Sequence, residues 1–200
     1  MCSSDLAEAG ADVIVAQGTE GGGHVGWMAS MALVPMVVNA VAPRPVLAAG
    51  GIADGRGLAA ALALGAAGAL IGTRFIAATE SLSHVNAKQR VAAAGGDDTL
   101  RTRVFDIGRA IDWPEEYTGR ALANDFSGRW HGNEAALRQA LDTERLRYFE
   151  AAGRGDTGTM VVWAGEGLDL IKDVQPAAMI VERIVAEAEA ALARASGSLV

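Results

Sequence analysis

Three short apolar runs, all before residue 76, each lead straight into a glycine-bearing turn. The first is Val13-Ile14-Val15-Ala16, preceded by Gly10-Ala11-Asp12 and followed by Gln17-Gly18. The second is Val46-Leu47-Ala48-Ala49, followed by Gly50-Gly51. The third is Gly68-Ala69-Leu70-Ile71, followed by Gly72-Thr73. Runs this short and this apolar suit parallel strands buried on both faces. Helix-compatible stretches lie between them. One covers residues 35–41, with Pro35 in its first turn. The other covers residues 58–64, with Asp54 as N-cap and Gly65 as terminator. Strands and helices that alternate with short connections fit a doubly wound sheet or a (βα)8 barrel. A small three-stranded α/β domain is the plainer reading of the same pattern.

Composition narrows the class. Of the 200 residues half are hydrophobic, but few are aromatic, which favours helices packed closely on a sheet over a β-sandwich. A net charge of −7 argues against a nucleic-acid surface. It leaves anionic ligands open, because backbone N–H groups bind phosphate without lysine. The one cysteine, Cys2, excludes an intrachain disulfide framework or a cysteine zinc site. Residues 1–10 lack the pattern of a signal peptide. No apolar stretch approaches the roughly 18 residues of a membrane span, so no membrane partner and a cytoplasmic location are expected. From residue 82 the chain reads as helix and loop. Residues 84–94 and 134–151 look helical, 99–130 irregular, and 153–156 a loop. Ala177, Ile180, Val181, Ile184, Ala188 and Ala191 recur at helical spacing in a final helix.

The chemistry-bearing residues sit at the strand ends. After the first run come Gly18, Gly21, Gly22, Gly23 and Gly26 with His24 among them. Glycines allow close backbone approach to a ligand, and a histidine there has a side chain suited to proton transfer. A flexible surface loop is the bland alternative. The turn of residues 48–57 opens a helix, where orphan N–H groups and the helix dipole favour an anion. The third turn adds the N–H groups of Gly72 and Thr73 and the Thr73 hydroxyl. Phosphate sites from successive strand ends recur in (βα)8 barrels. Arg74 either adds charge there or pairs with a carboxylate. His84 and His131 read as structural, and Trp113, Trp130 and Trp163 as packing residues. The three histidines share no metal-ligand spacing, so no metal is expected.

Taken together, these loops resemble the nitronate monooxygenase family. The matching segments are residues 11–26, residues 45–55 and Gly72-Thr73-Arg74-Phe75, with Gly21 where the family commonly has alanine. Thr102-Arg103-Val104-Phe105-Asp106, residues 126–132 and Gly165-Glu166-Gly167 also look like this family. The resemblance implies an α/β fold: a partial TIM (βα)8 barrel, its last three βα units, with an inserted helical segment and a C-terminal helix. It implies non-covalent FMN, contacted by Gln17, Gly22, Ala49, Gly50, Gly51, Gly72 and Thr73, with the last four on the phosphate. His24 matches the family's active-site histidine. The implied reaction is oxidation of an alkyl nitronate by O2 to a carbonyl compound and nitrite. An FMN-dependent enoyl-acyl-carrier-protein reductase or NADH:quinone reductase, or an inactive fragment, are the alternatives.

On this reading residues 1–80 are the C-terminal part of the FMN-binding barrel, 81–172 the helical and loop insertion, and 173–200 the closing helix and tail. Met1-Cys2-Ser3-Ser4-Asp5 is expected to be non-native and the chain a fragment. An open remnant would expose strand edges and an apolar sheet face, and would associate or dissolve poorly. Homo-oligomerisation is left open. The partners implied are a small-molecule nitronate and O2.

Overall fold

The computed structural model describes residues 3–198. Cys2 lies outside them. Helix α1 (Ser3–Glu8) precedes strand β1 (Ile14–Gln17), the short strand β2 (Gly23–Val25) and helix α2 (Ser30–Val41). Strand β3 (Val46–Ala49), helix α3 (Gly55–Ala63), strand β4 (Gly68–Leu70) and the single turn α4 (Thr73–Ile76) follow. Strands β1, β3 and β4 form a parallel sheet in that order. Its register pairs Gln17 with Ala49 and Ala49 with Leu70, so the three strand ends stand in one row. The turns after them therefore open on one edge, where parallel sheets carry their ligands.

Helices cover one face of this sheet. Ile14, Ala16, Val46 and Ala48 are buried with Val34, Val37 and Val41 of α2 and Ala61 of α3. Each Val or Ile side chain so buried contributes about 1.5–3 kcal/mol. Alternate strand residues point the other way, and there Val15 and Leu70 are 43% and 52% exposed. The expectation of strands buried on both faces is thus corrected, while the expected exposed apolar face is present. Helix α2 also starts five residues before Pro35, which lies inside it. The proline ring removes one intrahelical donor, but burial of Val34 and Val37 on either side holds the helix together.

Beyond residue 82 the reading as helix and loop is incomplete. Helix α5 (Val85–Ala93) is followed by strand β5 (Thr99–Thr102), helix α6 (Val104–Arg109), strand β6 (Thr118–Leu122) and helix α7 (Asp125–Trp130). Strands β2, β6 and β5 make a second, antiparallel sheet in that order. The stretch read as irregular contains two of its strands. Their Thr and Arg residues carry no apolar alternation, so only pairing with distant segments makes them strands. The helix expected over 134–151 is two, α8 (Glu134–Gln139) and α9 (Leu141–Gly153), meeting at Ala140.

The last helix, α10 (Ala177–Gly197), buries Ile180, Ile184 and Ala188, whereas Val181 is half exposed. It crosses the start of α3 so closely that a Cβ at Gly55 would lie 2.3 Å from the Ala188 nitrogen. Arg74 ties the segment before α10 to α4. It is fully buried and donates to the Asp173 carbonyl at 2.9 Å and to its carboxylate at 2.6 Å. Of its two readings the structure therefore shows the pairing with a carboxylate. Arg183 donates to the other Asp173 oxygen at 3.1 Å, and this hydrogen bond is the main cause holding the Asp173 carboxyl below its ordinary pKa.

A lowered carboxylate pKa contributes stability above the unfolded value, about 3.9, and that stability is lost as pH falls through the folded value. Protonating Asp173 also leaves the buried Arg74 charge with only a carbonyl. Urea midpoints should therefore fall more steeply below pH 4 for this chain than for Asp173→Asn, which should already be the less stable of the two at pH 7. Parallel curves for the two proteins would remove Asp173 from the acid response. Among the described residues no helix is long and apolar enough to cross a membrane.

Candidate active site

The aligned strand ends create a cleft of about 280 Å³. Gln17, Gly22, Ala49, Gly50, Gly51, Gly72 and Thr73 all line it, joined by Gly21, Ile52 and Trp163. The seven residues to which the family resemblance gives cofactor contacts are thus brought together. Gln17 ends β1 and its Nε2 donates to the Gly22 carbonyl at 3.0 Å, folding the glycine loop back over the strand end. Gly22 packs so tightly on the segment before residue 166 that a Cβ there would lie 2.7 Å from the Ala164 carbonyl carbon.

The cleft floor suits an anion. Gly50 and Gly51 have φ of 97° and 70°, in the left-handed region. Among the described residues, the N–H groups of Gly50, Gly51, Gly72 and Thr73 donate to no protein acceptor. Successive free N–H groups in such a turn form a concavity for a negatively charged group. The donor set and the open side of Gly72, where a Cβ would meet nothing within 4 Å, fit a phosphate. The Thr73 hydroxyl accepts from the Gly165 N–H at 3.0 Å. It therefore pins the far wall of the cleft, and its own proton remains to be donated.

The helix after Gly51 plays a different part from the one its sequence suggests. Asp54 caps α3, accepting from the N–H groups of Arg56 at 2.9 Å and Gly57 at 3.3 Å. Glu187 of α10 accepts from Gly55 at 2.9 Å. These carboxylates close the α3 N-terminus to a ligand anion. The free donors lie in the turn before it.

His24 is held in β2, between Gly23 and Val25, and not on a pliable loop. Its pairing with Gly119 of β6 fixes the backbone. Two arginines from the same sheet hold the surrounding chain: Arg101 donates to the carbonyls of Val25 at 2.8 Å and Gly26 at 2.9 Å, and Arg120 to that of Thr19 at 3.3 Å. The His24 Nε2 lies 2.8 Å from Oδ2 of Asp106, whose side chain is 4% exposed. Trp113 stacks on the ring with centroids 3.8 Å apart and planes 12° from parallel, and Trp163 tilts toward it at 5.2 Å.

His24 borders a second cleft of about 420 Å³, shared with Trp27, Trp113, Tyr117 and Gln17. Gln17 lines both clefts, and Trp163 joins the glycine cleft to the histidine. Asp106 is the site residue that sequence reading passed over, and Trp113 and Trp163, read there as packing residues, stand against the His24 ring. Asp106 carried a signal: it is the one charge within the apolar run Val104-Phe105-Asp106-Ile107. Trp130 is buried packing, as expected. His84 caps α5 by accepting from Asn86 at 3.2 Å, and His131 lies 3.0 Å from the Thr102 hydroxyl, so both are structural. Among the described residues no three His, Cys, Asp or Glu side chains group as metal ligands.

Comparison with known proteins places these features in context. The family model described as nitronate monooxygenase matches residues 3–187. A nitronate monooxygenase of Metarhizium robertsii is 38% identical over 194 residues, covering 90% of this chain and 53% of that protein. A hydroxy-methyl-oxo-octahydro-indene-carboxyl-CoA dehydrogenase of Rhodococcus jostii is 44% identical over 137 residues, covering 68% of this chain and 37% of that protein. Among solved structures, FabK from Thermotoga maritima superposes with a TM-score of 0.80 at 31% identity, covering 99% of this chain and 62% of that one. Nitroalkane oxidase from Streptomyces ansochromogenes gives 0.77 at 32% identity, covering 94% and 55%. The chain spans about half the length of the curated relatives it matches. Its α/β fold thus has its neighbours among TIM-barrel proteins of this kind.

Proposed function

The chain belongs to the nitronate monooxygenase family, and on that premise we propose that it carries the FMN seat and active-site histidine of an enzyme that oxidises alkyl nitronates with O2 to carbonyl compounds and nitrite. The observation that carries this reading is the meeting of Gln17, Gly22, Ala49, Gly50, Gly51, Gly72 and Thr73 in one cleft, with His24 across Trp163. Gly50, Gly51, Gly72 and Thr73 would hold the phosphate through backbone N–H groups. Gln17, Gly22 and Ala49 would line the path toward His24. FMN, when bound, supplies the electron chemistry, and the protein supplies orientation and electrostatics.

His24 would act in one of two ways. It would donate a hydrogen bond to an anionic nitronate, or accept the α-proton of a neutral nitroalkane. The apolar walls of its cleft, Trp27, Trp113 and Tyr117, would take the alkyl part and limit water around the reacting carbon. In the same reading β1, β3 and β4 are the last three strands of a (βα)8 barrel, residues 81–172 an insertion and residues 173–200 the closing helix and tail. A second reading, an FMN-dependent enoyl-thioester or quinone reductase, draws on the superposition with FabK.

Purified chain is mixed with FMN, freed of unbound flavin and assayed. Retained flavin absorbance, oxygen uptake on adding an alkyl nitronate and stoichiometric nitrite are the expected results. Oxidation of NAD(P)H with an enoyl thioester or quinone, without nitronate turnover, would transfer the assignment to the reductase. A chain that retains no flavin would overturn both.

A further inference from the structure

Asp106 is buried on α6, and His24 is the side chain that its carboxylate meets, through Oδ2 at 2.8 Å. Its second oxygen, Oδ1, is buried with no hydrogen-bond partner among the described residues. No arginine or lysine is paired with it among the ion pairs of these residues. A carboxylate that serves only packing would be replaced by an apolar side chain at lower desolvation cost. What this one does in the structure is define a histidine.

A carboxylate accepts and does not donate, so the nitrogen facing it carries the proton. With Nε2–H directed at Asp106, Nδ1 is the unprotonated nitrogen of the neutral ring, and it has no protein partner among the described residues. The ring cannot readily rotate to exchange the two. Trp113 lies flat against it at 3.8 Å, Trp163 approaches at 5.2 Å, and β2 fixes the backbone. We propose that Asp106 is the positioning residue of this site: it holds His24 as the Nε2–H tautomer and leaves Nδ1 as the nitrogen that meets substrate. The assignment of Nδ1 to substrate rests on the function proposed above. The tautomer itself does not.

The chain has three histidines, which makes the test direct. In a long-range proton–nitrogen correlation spectrum of histidine-labelled protein, recorded with and without FMN, the His24 Nε2 should resonate as a protonated nitrogen and Nδ1 as a bare one. In Asp106→Asn this pattern should become mixed or inverted, while the signals of His84 and His131 stay in place. Asp106→Glu should restore it in part. A His24 that is Nδ1–H in the unsubstituted chain would overturn the proposal, as would one that keeps its tautomer in Asp106→Asn. If Asp106→Asn does not fold, the unsubstituted spectrum still decides. In turnover assays with a neutral nitroalkane Asp106→Asn should lower kcat about 100-fold with KM and FMN retention nearly unchanged, because a misplaced proton disables a base without disturbing binding. A chain with the expected tautomer and no nitronate turnover would refute the functional reading and leave the positioning role standing.

Discussion

Gly50→Val should raise the dissociation constant for FMN about 100-fold while leaving the chain folded. Gly50 holds a φ of 97°, which a β-branched residue adopts only under strain. Its Cβ would also stand 3.0 Å from the Gly18 carbonyl and 3.1 Å from the Gly21 N–H. Both neighbours are backbone and cannot swing aside, so the turn itself must rotate. Rotation carries the N–H groups of residues 50 and 51 off the proposed phosphate. Hydrogen bonds to a charged group contribute about 1.5–3 kcal/mol each, so losing one or two gives the stated change at about 1.4 kcal/mol per tenfold. Fluorescence titration with FMN measures it, with circular dichroism as the check on folding. An unchanged affinity would mean that this turn is not the phosphate seat.

The second large effect should come from His24→Asn, with the opposite signature. General acid–base groups contribute about 10²–10⁴-fold to a rate, so kcat with a neutral nitroalkane should fall by that order. FMN affinity should change by less than about fivefold, since one hydrogen bond contributes about 1 kcal/mol and His24 does not line the glycine cleft. Steady-state oxygen uptake and the same flavin titration separate the two quantities. Loss of flavin together with turnover would show that the two clefts act as one site. Retention of full activity would remove His24 from the chemistry.

The geometry of the glycine cleft was legible because its determinants are local. Val13 to Ala16, Val46 to Ala49 and Gly68 to Leu70 announce strands by composition, and the glycines after each announce turns with unusual backbone angles. Parallel register then aligned Gln17, Ala49 and Leu70 without further information. Asp54 was legible as an N-cap for the same reason, yet its consequence was not. By satisfying Arg56 and Gly57 it withdraws the helix end from ligand binding and leaves Gly50 and Gly51 as the donors. The capping residue and the anion seat competed for one stretch of chain, and only the fold decides which donors remain.

The histidine side was legible in identity and not in arrangement. His24 stood out among glycines, but its strand depends on β6, and β6 on β5, segments that lie 75 or more residues away. Thr99-Leu100-Arg101-Thr102 and Thr118-Gly119-Arg120 show no alternation of apolar and polar residues, because their arginines serve the loop and not the solvent. The burial of Asp106 likewise had no local cause.

By itself, then, the amino-acid sequence determined the three strand ends, their glycine turns and the presence of a histidine beside them, since each follows from backbone preferences within a few residues. Only the tertiary structure decided that His24 sits on a strand, bonded to Asp106 and enclosed by Trp113 and Trp163. Those contacts join residues 82 apart and more. Their energy comes from desolvation and pairing after the chain has folded, which no local periodicity encodes.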